Sequence, residues 1–202
     1  MKLPQSFYDR PTLDVARDLI GKVLVHDRRG ALTSGIIVEV EAYIGESDPA
    51  CHAAPGPTKR NEPLYGSPGR AYVYLNYGIH WLVNAVTEAK GSPAAVLIRA
   101  LEPLEGVETM KRRRKRRVPV HDLCRGPGNL TVAMGITAAQ NREDLCGARL
   151  YIEDRGLPAP HEIAWGPRIG ITVGTEREWR AYVREHPSVT GSRARPSRRR
   201  RS

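Results

Sequence analysis

Apolar and polar positions change period several times along the 202 residues, and each change marks a predicted element. After Pro11, TLDVARDLIG places apolar residues at 15, 16, 19 and 20, the spacing of one helix face, with Gly21 as the stop. KVLVH and SGIIVEVEAY read as strands joined through an RRG turn. AYVYLNYGIHWLVNAV predicts two strands connected by a tight turn at Asn76-Tyr77-Gly78, and AAVLIRAL predicts another strand. EPLEGVETMKRRRKRR predicts a helix, with acids early and bases late as the macrodipole favours. CRGPGNLTVAMGI predicts a turn and a short helix, and RLYIED and PRIGITVG predict later strands. Residues 45–70 are rich in Gly, Pro and Ser and form a long loop, which in a small domain is usually functional or disordered. Strands and helices follow one another without regular βαβ alternation, so the expected class is α+β. One domain is expected over residues 1–190, followed by a disordered, low-complexity arginine-rich tail over 191–202.

The strand over 36–43 is the first segment whose pattern carries chemistry. Strict alternation sends Ile36, Val38, Val40 and Ala42 one way, and Ile37, Glu39, Glu41 and Tyr43 the other. Neighbours along one face lie roughly 7 Å apart. This face is either a solvated exterior or a site where one glutamate serves as general base towards water. Spacing does not choose between the two carboxylates.

YVYLNYG concentrates three of the chain's eight tyrosines in six residues, while there is a single phenylalanine. Half-buried packing explains tyrosines in strands; stacking on a nucleobase, with a wedge at the protruding turn, is the alternative. Arg99 lies inside the apolar run AAVLIRAL and needs a partner, which is a structural carboxylate, a catalytic glutamate or a nucleic-acid backbone. His52 falls in the long loop, as a surface residue or one that stacks on a base, and Asn84 ends WLV.

Charge narrows the partner. KRRRKRR at 111–117 holds seven cations and residues 193–202 hold six, so the remainder carries −3 of the net +10. Two basic segments suit a polyanion such as nucleic acid. An anionic membrane is the alternative, but neither run has apolar residues to insert. No apolar run approaches the roughly 20 residues of a membrane span, and MKLPQSFYDRP lacks the apolar stretch of a secretory signal. A cytoplasmic location is therefore expected. Cys51, Cys124 and Cys146 are scattered without a CxxC pair, which predicts free thiols rather than a disulfide frame or zinc site. A zinc deaminase, which also acts on extruded bases, needs an HxE…PCxxC set that is missing.

Together, LPQSFYDRPTLDVARDLIGKVLV, GIIVEVEAYIGESDPACHA, the TKRN loop, YVYLNYGIHWLVN and VLIRALEPLEGVETM resemble the alkyladenine (3-methyladenine) DNA glycosylase family. LCRGPGNLTVAMGI and PRIGI add weaker matches, and the resemblance runs collinearly from about residue 3 to 190. It implies a single mixed α/β domain around a curved antiparallel sheet with a protruding β-hairpin. It also implies no cofactor and no metal, and a monomer acting on double-stranded DNA that contains a damaged purine, DNA-associated in the cell (the nucleoid in a bacterium). The implied reaction is base excision repair: the purine is flipped out and its N-glycosidic bond hydrolysed, with no lyase step.

The resemblance further implies that Glu41 is the base that deprotonates water, held with Arg99 and the backbone carbonyl of Ile169. Tyr43, His52 and Tyr74 would sandwich the extruded base, Asn84 would crowd an exocyclic 2-amino group, and Tyr77 would enter the minor groove as a wedge. The chain departs from the family pattern at Asn129, where lysine is frequent, at His80, where bulkier aromatics occur, and at Ala181, often an aromatic position. A non-catalytic, basic nucleic-acid-binding domain is the competing reading, since the family fold resembles an RNA-binding domain of a tRNA formyltransferase. For the tail, a mobile arm adding DNA affinity competes with simple solubilisation.

Overall fold

Two long strands carry the architecture, β2 (Ala31–Ile44) and β5 (Ala94–Glu105), paired antiparallel along most of their lengths. The computed structural model describes residues 1–28, 30–158 and 162–191, so the arginine tail expected beyond Gly191 lies outside the described residues. β1 (Val23–Arg28), β3 (Ala71–Asn76), β4 (His80–Val86) and β6 (Leu150–Glu153) complete a sheet of order β3-β4-β5-β2-β1-β6. β7 (Ile163–Gly166) pairs with β8 (Arg180–Val183), which also joins β2. Every strand pairing among the described residues is antiparallel. The α+β class with a curled antiparallel sheet is thus the one expected from the sequence.

One edge of β2 serves two neighbours. Its first half, to Ile36, pairs with β1, and Glu39–Glu41 pair with β8. The change of partner coincides with a β-bulge, where the register against β5 shifts between Ile37 and Glu39 and again before Val40. The bulge corrects the alternation expected over 36–43. Ile37, rather than Ile36 and Val38, joins Val40 and Ala42 in the main core, while Val38 packs with Ala100 and Val189. One extra residue inverts the facing of everything before it, as bulges do.

The main core lies between one face of this sheet and the helices. α1 (Gln5–Tyr8), α2 (Thr12–Leu19), α3 (Val107–Arg114) and α4 (Pro127–Met134) contribute Tyr8, Leu19, Met110, Leu130 and Met134. They meet Val83, Val96, Ile98 and Ile37 from the strands. Each such side chain, wholly removed from water, supplies roughly 1.5–3 kcal/mol.

Several sequence expectations need correction. The helix predicted over EPLEGVETMKRRRKRR begins only at Val107, because β5 continues to Glu105. Gly106 turns the chain at φ 71°, and a side chain there would collide with the Leu32 carbonyl. The helix also stops at Arg114, leaving Lys115 in the left-handed region (φ 51°) and Arg116 and Arg117 beyond it. PRIGITVG forms no strand; the short strands in this part of the chain are β7 and β8. The long loop is ordered by packing rather than loose, with Asp48, Cys51, Ala53, Asn61 and Leu64 buried and a 3-10 turn at Glu62–Tyr65.

Candidate active site

The sheet face opposite the helices collects the polar and aromatic side chains. Alternation places Glu41 and Tyr43 of β2 there, with Leu97 and Arg99 of β5, Tyr72 and Tyr74 of β3, and Asn84 of β4. All of these except Glu41 border a cavity of about 450 Å3, closed on other sides by His52, Ile169 and the hairpin residue Tyr77. That volume is in the usual range for small-molecule sites, roughly 300–1,000 Å3.

Glu41 lies directly behind this wall. It is fully buried, so the solvated-face reading of EVEAY is wrong. Its Oε1 accepts the Ile169 N–H at 2.7 Å, and its Oε2 accepts the Tyr43 hydroxyl at 2.8 Å and pairs with Arg99 at 3.2 Å. Each of these partners lines the cavity. An ionised carboxylate offers about four lone-pair positions. Two hydrogen bonds and one ion pair leave room for one more.

Arg99 is buried between two carboxylates, 3.2 Å from Glu41 and 3.2 Å from Glu39. Burial opposes its charge, but the Glu41 and Glu39 carboxylates outweigh that, holding the guanidinium above its ordinary range. The charge in AAVLIRAL therefore has both a prospective base and a second buried acid as partners.

The aromatic wall is built from contacts. His52 meets Tyr74 with ring centroids 4.3 Å apart and shares a 2.9 Å hydrogen bond between Nδ1 and the Tyr72 hydroxyl. Burial, aided by the Arg60 charge, pushes the His52 imidazole below its ordinary value, so it is neutral at pH 7. Burial pushes the Tyr72 phenol up to about 12. Tyr43 and Tyr74 are raised for the same reason, Tyr43 also by Glu41. All three rings are therefore uncharged. The loop carrying His52 is tied by Asn61 of TKRN, whose amide donates to the carbonyls of His52 (2.7 Å) and Gly56 (2.8 Å). The Asn84 amide donates to the Tyr72 carbonyl at 3.0 Å.

A buried ion pair holds the strap over residues 167–174. Arg168 donates to both oxygens of Asp48, at 2.6 and 2.8 Å, and to the Ala42 carbonyl at 3.1 Å. Its guanidinium lies 4.7 Å from the Tyr43 ring centroid. Burial opposes both charges and the pairing wins, so Asp48 is held below and Arg168 above its ordinary range. The clamp fixes the residue next to Ile169, whose N–H meets Glu41.

The hairpin between β3 and β4 projects beyond the wall. Tyr77 (φ 47°) and Gly78 (φ 69°) both occupy the left-handed region, as a type I′ turn requires, and the Ile79 N–H donates to the Asn76 carbonyl at 3.0 Å. Tyrosine is disfavoured at such an angle. Its side chain is nonetheless 84% exposed, beside Ile79 at 72%. At the hairpin's base, His80 packs on Gly128 in the first turn of α4, where any side chain at 128 would collide with the imidazole.

A sequence model of methylpurine-DNA glycosylase (MPG) matches residues 6–187. The chain belongs to this family. It is 51% identical over 194 residues to a Chlorobium phaeobacteroides protein, covering 96% of this chain and 97% of that one. It is 50% identical over 192 residues to a Methanocella arvoryzae protein, with 93% and 95% covered. Both relatives carry the name "Putative 3-methyladenine DNA glycosylase".

Within this glycosylase family, the chain's departures have structural counterparts. Asn129 accepts from Arg114 and donates to the Arg125 carbonyl at 2.7 Å, which joins the end of α3 to the start of α4. Ala181 is fully buried in the main core. At the C-terminal end of α3, Lys111, Arg112, Lys115, Arg116 and Arg117 line one basic depression. Among the described residues, no helix is long and apolar enough to cross a membrane. The three cysteines are unbridged. Sequence reasoning missed Asp48 and Arg168. The signal used for Arg99, a cation flanked by apolar residues, was also present in Pro167-Arg168-Ile169.

Proposed function

We propose that the protein is a monofunctional glycosylase that removes alkylated or deaminated purines from duplex DNA by water attack. One observation carries the reading: a wholly buried carboxylate, Glu41, is held by two hydrogen bonds and an ion pair at the wall of an aromatic cavity beside an exposed tyrosine hairpin.

In this reading the damaged nucleotide rotates out of the duplex, and its base enters between Tyr43 and the His52–Tyr74 pair. Glu41 uses its remaining lone-pair position to hold a water, with Arg99 and the Ile169 carbonyl as further partners. As the carboxylate takes a proton from that water, the oxygen bonds to C1′ and the C1′–N bond breaks, its electron pair leaving with the purine. A purine methylated at N3 or N7 is already cationic and departs neutral, so no acid is required; a neutral purine such as hypoxanthine departs as an anion and takes its proton from solvent. The uncharged, electron-rich rings favour such a cation through stacking and cation–π attraction. Asn84 crowds the position of a 2-amino group and so disfavours guanine. Tyr77 fills the gap in the stack, helping to offset a flipping cost of a few kcal/mol. A strand-cleaving lyase would need an amine nucleophile, and none of the described lining residues is a lysine. The protein acts as a monomer in the cytoplasm, on the cell's DNA.

The test is Glu41→Gln on single-lesion duplexes carrying hypoxanthine or 1,N6-ethenoadenine. Release of free base should vanish while lesion binding persists. Wild-type excision by the variant would remove Glu41 from the mechanism, and a wild-type protein that binds but releases no base from any lesion would favour the binding-domain reading.

A further inference from the structure

The bulge in β2 leaves a second acid without an assigned role. Glu39 is as deeply buried as Glu41, and four donors converge on it. Arg99 Nε donates to its Oε1 at 3.2 Å, Arg180 of β8 donates at 3.1 Å, and Thr190 supplies both its N–H (2.9 Å, to Oε2) and its hydroxyl. Thr190 is itself anchored close by, since Arg125 Nε donates to the neighbouring Val189 carbonyl at 2.9 Å.

We infer that Glu39 is a positioning residue for the proposed reaction: it shares the Arg99 guanidinium with Glu41 and keeps that cation from collapsing onto the base. This inference rests on the reading of Glu41 as the water-activating carboxylate.

The argument is electrostatic and geometric. A guanidinium presents its donors in a rigid fork. Here Nε is committed to Glu39 and one terminal nitrogen to Glu41, so the plane is pinned from both ends while Arg99 still borders the cavity. A carboxylate that owned Arg99 entirely would be a poor proton acceptor, because its negative charge would be neutralised by a partner it need not share. Glu39 competes for the same cation. Arg180 and Thr190 keep Glu39 in place without satisfying it through Arg99 alone. The charged or titratable groups facing Glu41 are Arg99 and Tyr43 in direct contact, Glu39 across the shared guanidinium, Arg180 opposite on β8, Tyr74 on β3, and Arg168 behind Tyr43.

Three variants test this: Glu39→Gln, Glu39→Asp and Thr190→Val, each assayed beside wild type for single-turnover base release across pH 5–9 and for lesion-duplex affinity. Glu39→Gln should lower the rate about tenfold or more with affinity changed less than about threefold. Losing the competing charge leaves Arg99 to Glu41 alone, so the acid limb of the rate profile should move to lower pH. Glu39→Asp keeps the charge but withdraws it by one methylene; its acid limb should stay in place while the rate falls. Thr190→Val removes one hydrogen bond and no charge, and should cost a few-fold without moving the limb. A merely structural Glu39 would lower melting temperature and affinity and leave the profile's shape intact. Folded Glu39→Gln with wild-type rate and acid limb overturns the inference. If that variant does not fold, Glu39→Asp with a wild-type rate overturns it instead. Wild-type protein that releases no base would sink the glycosylase reading itself, an outcome distinct from either of these.

Discussion

The Asp48–Arg168 clamp makes a prediction that can be worked from its geometry. Both side chains are wholly buried, and the pair is bidentate. Replacing Arg168 by Met keeps much of the volume but leaves the Asp48 carboxylate with the Ala50 and Ile44 N–H groups and Arg177 at 3.5 Å. Breaking one side of a buried ion pair costs about 3–5 kcal/mol, because the remaining charge stays desolvated. In a chain of this size each kcal/mol moves the melting temperature by roughly 2–4 °C, so Arg168→Met should melt about 6–20 °C lower. Activity should fall too: the strap that presents the Ile169 N–H to Glu41 loses its anchor, and a misplacement near 1 Å can cost about 100-fold. The Asp48→Ala/Arg168→Met double variant should be more stable than the sum of the single losses predicts, since neither charge is then stranded. The pH dependence has a definite sign. Arg168 holds Asp48 below its ordinary value of 3.8, so the pair's contribution is complete at neutral pH and is lost as pH falls below about 4. The gap between wild type and variant should therefore narrow in acid. Calorimetry of Arg168→Met showing a transition within about 2 °C of wild type at pH 7 would refute the reasoning.

Two further predictions concern DNA. Tyr77→Ala should reduce the preference for lesion over normal duplex about tenfold or more in competition binding, while melting temperature holds; an unchanged preference removes the wedge. The basic depression formed by Lys111, Arg112, Lys115, Arg116 and Arg117 should contribute phosphate contacts. If about five phosphates are neutralised, log K against log salt has a slope near −4.5, and changing 115–117 to glutamine should flatten it by about 2.7. A slope indifferent to that change makes the depression a solubilising patch.

What could be read from the sequence was whatever depends on short-range pattern. Alternation and the Asn-Tyr-Gly turn located the β3–β4 hairpin, and apolar spacing located α2. The resemblance rested on EVEAY, YVYLNYG and LIRALEP, and the structure brings Glu41, Tyr43, Tyr74 and Arg99 to one sheet face with His52 and Asn84. The bulge at Val38–Glu39 was hidden, because nothing in IIVEVEAY marks an extra residue and β8, whose pairing coincides with it, lies about 140 residues away. β7 and β8 were missed because four-residue strands give alternation too little length, and Arg180 opens β8 with a charge. The Asp48–Arg168 pair spans 120 residues, a separation at which only the folded chain introduces the partners.

The hairpin tip has an implication for how such a protein can change. At residue 77 the backbone angle suits glycine or asparagine, and holding a tyrosine there costs on the order of 1–3 kcal/mol. A chain drifting towards thermal robustness alone would shed that ring, because neither the core nor any neighbouring strand depends on it. Its retention sets a floor of tension in the resting molecule, already present before any nucleic acid arrives and therefore owed nothing at the moment of encounter.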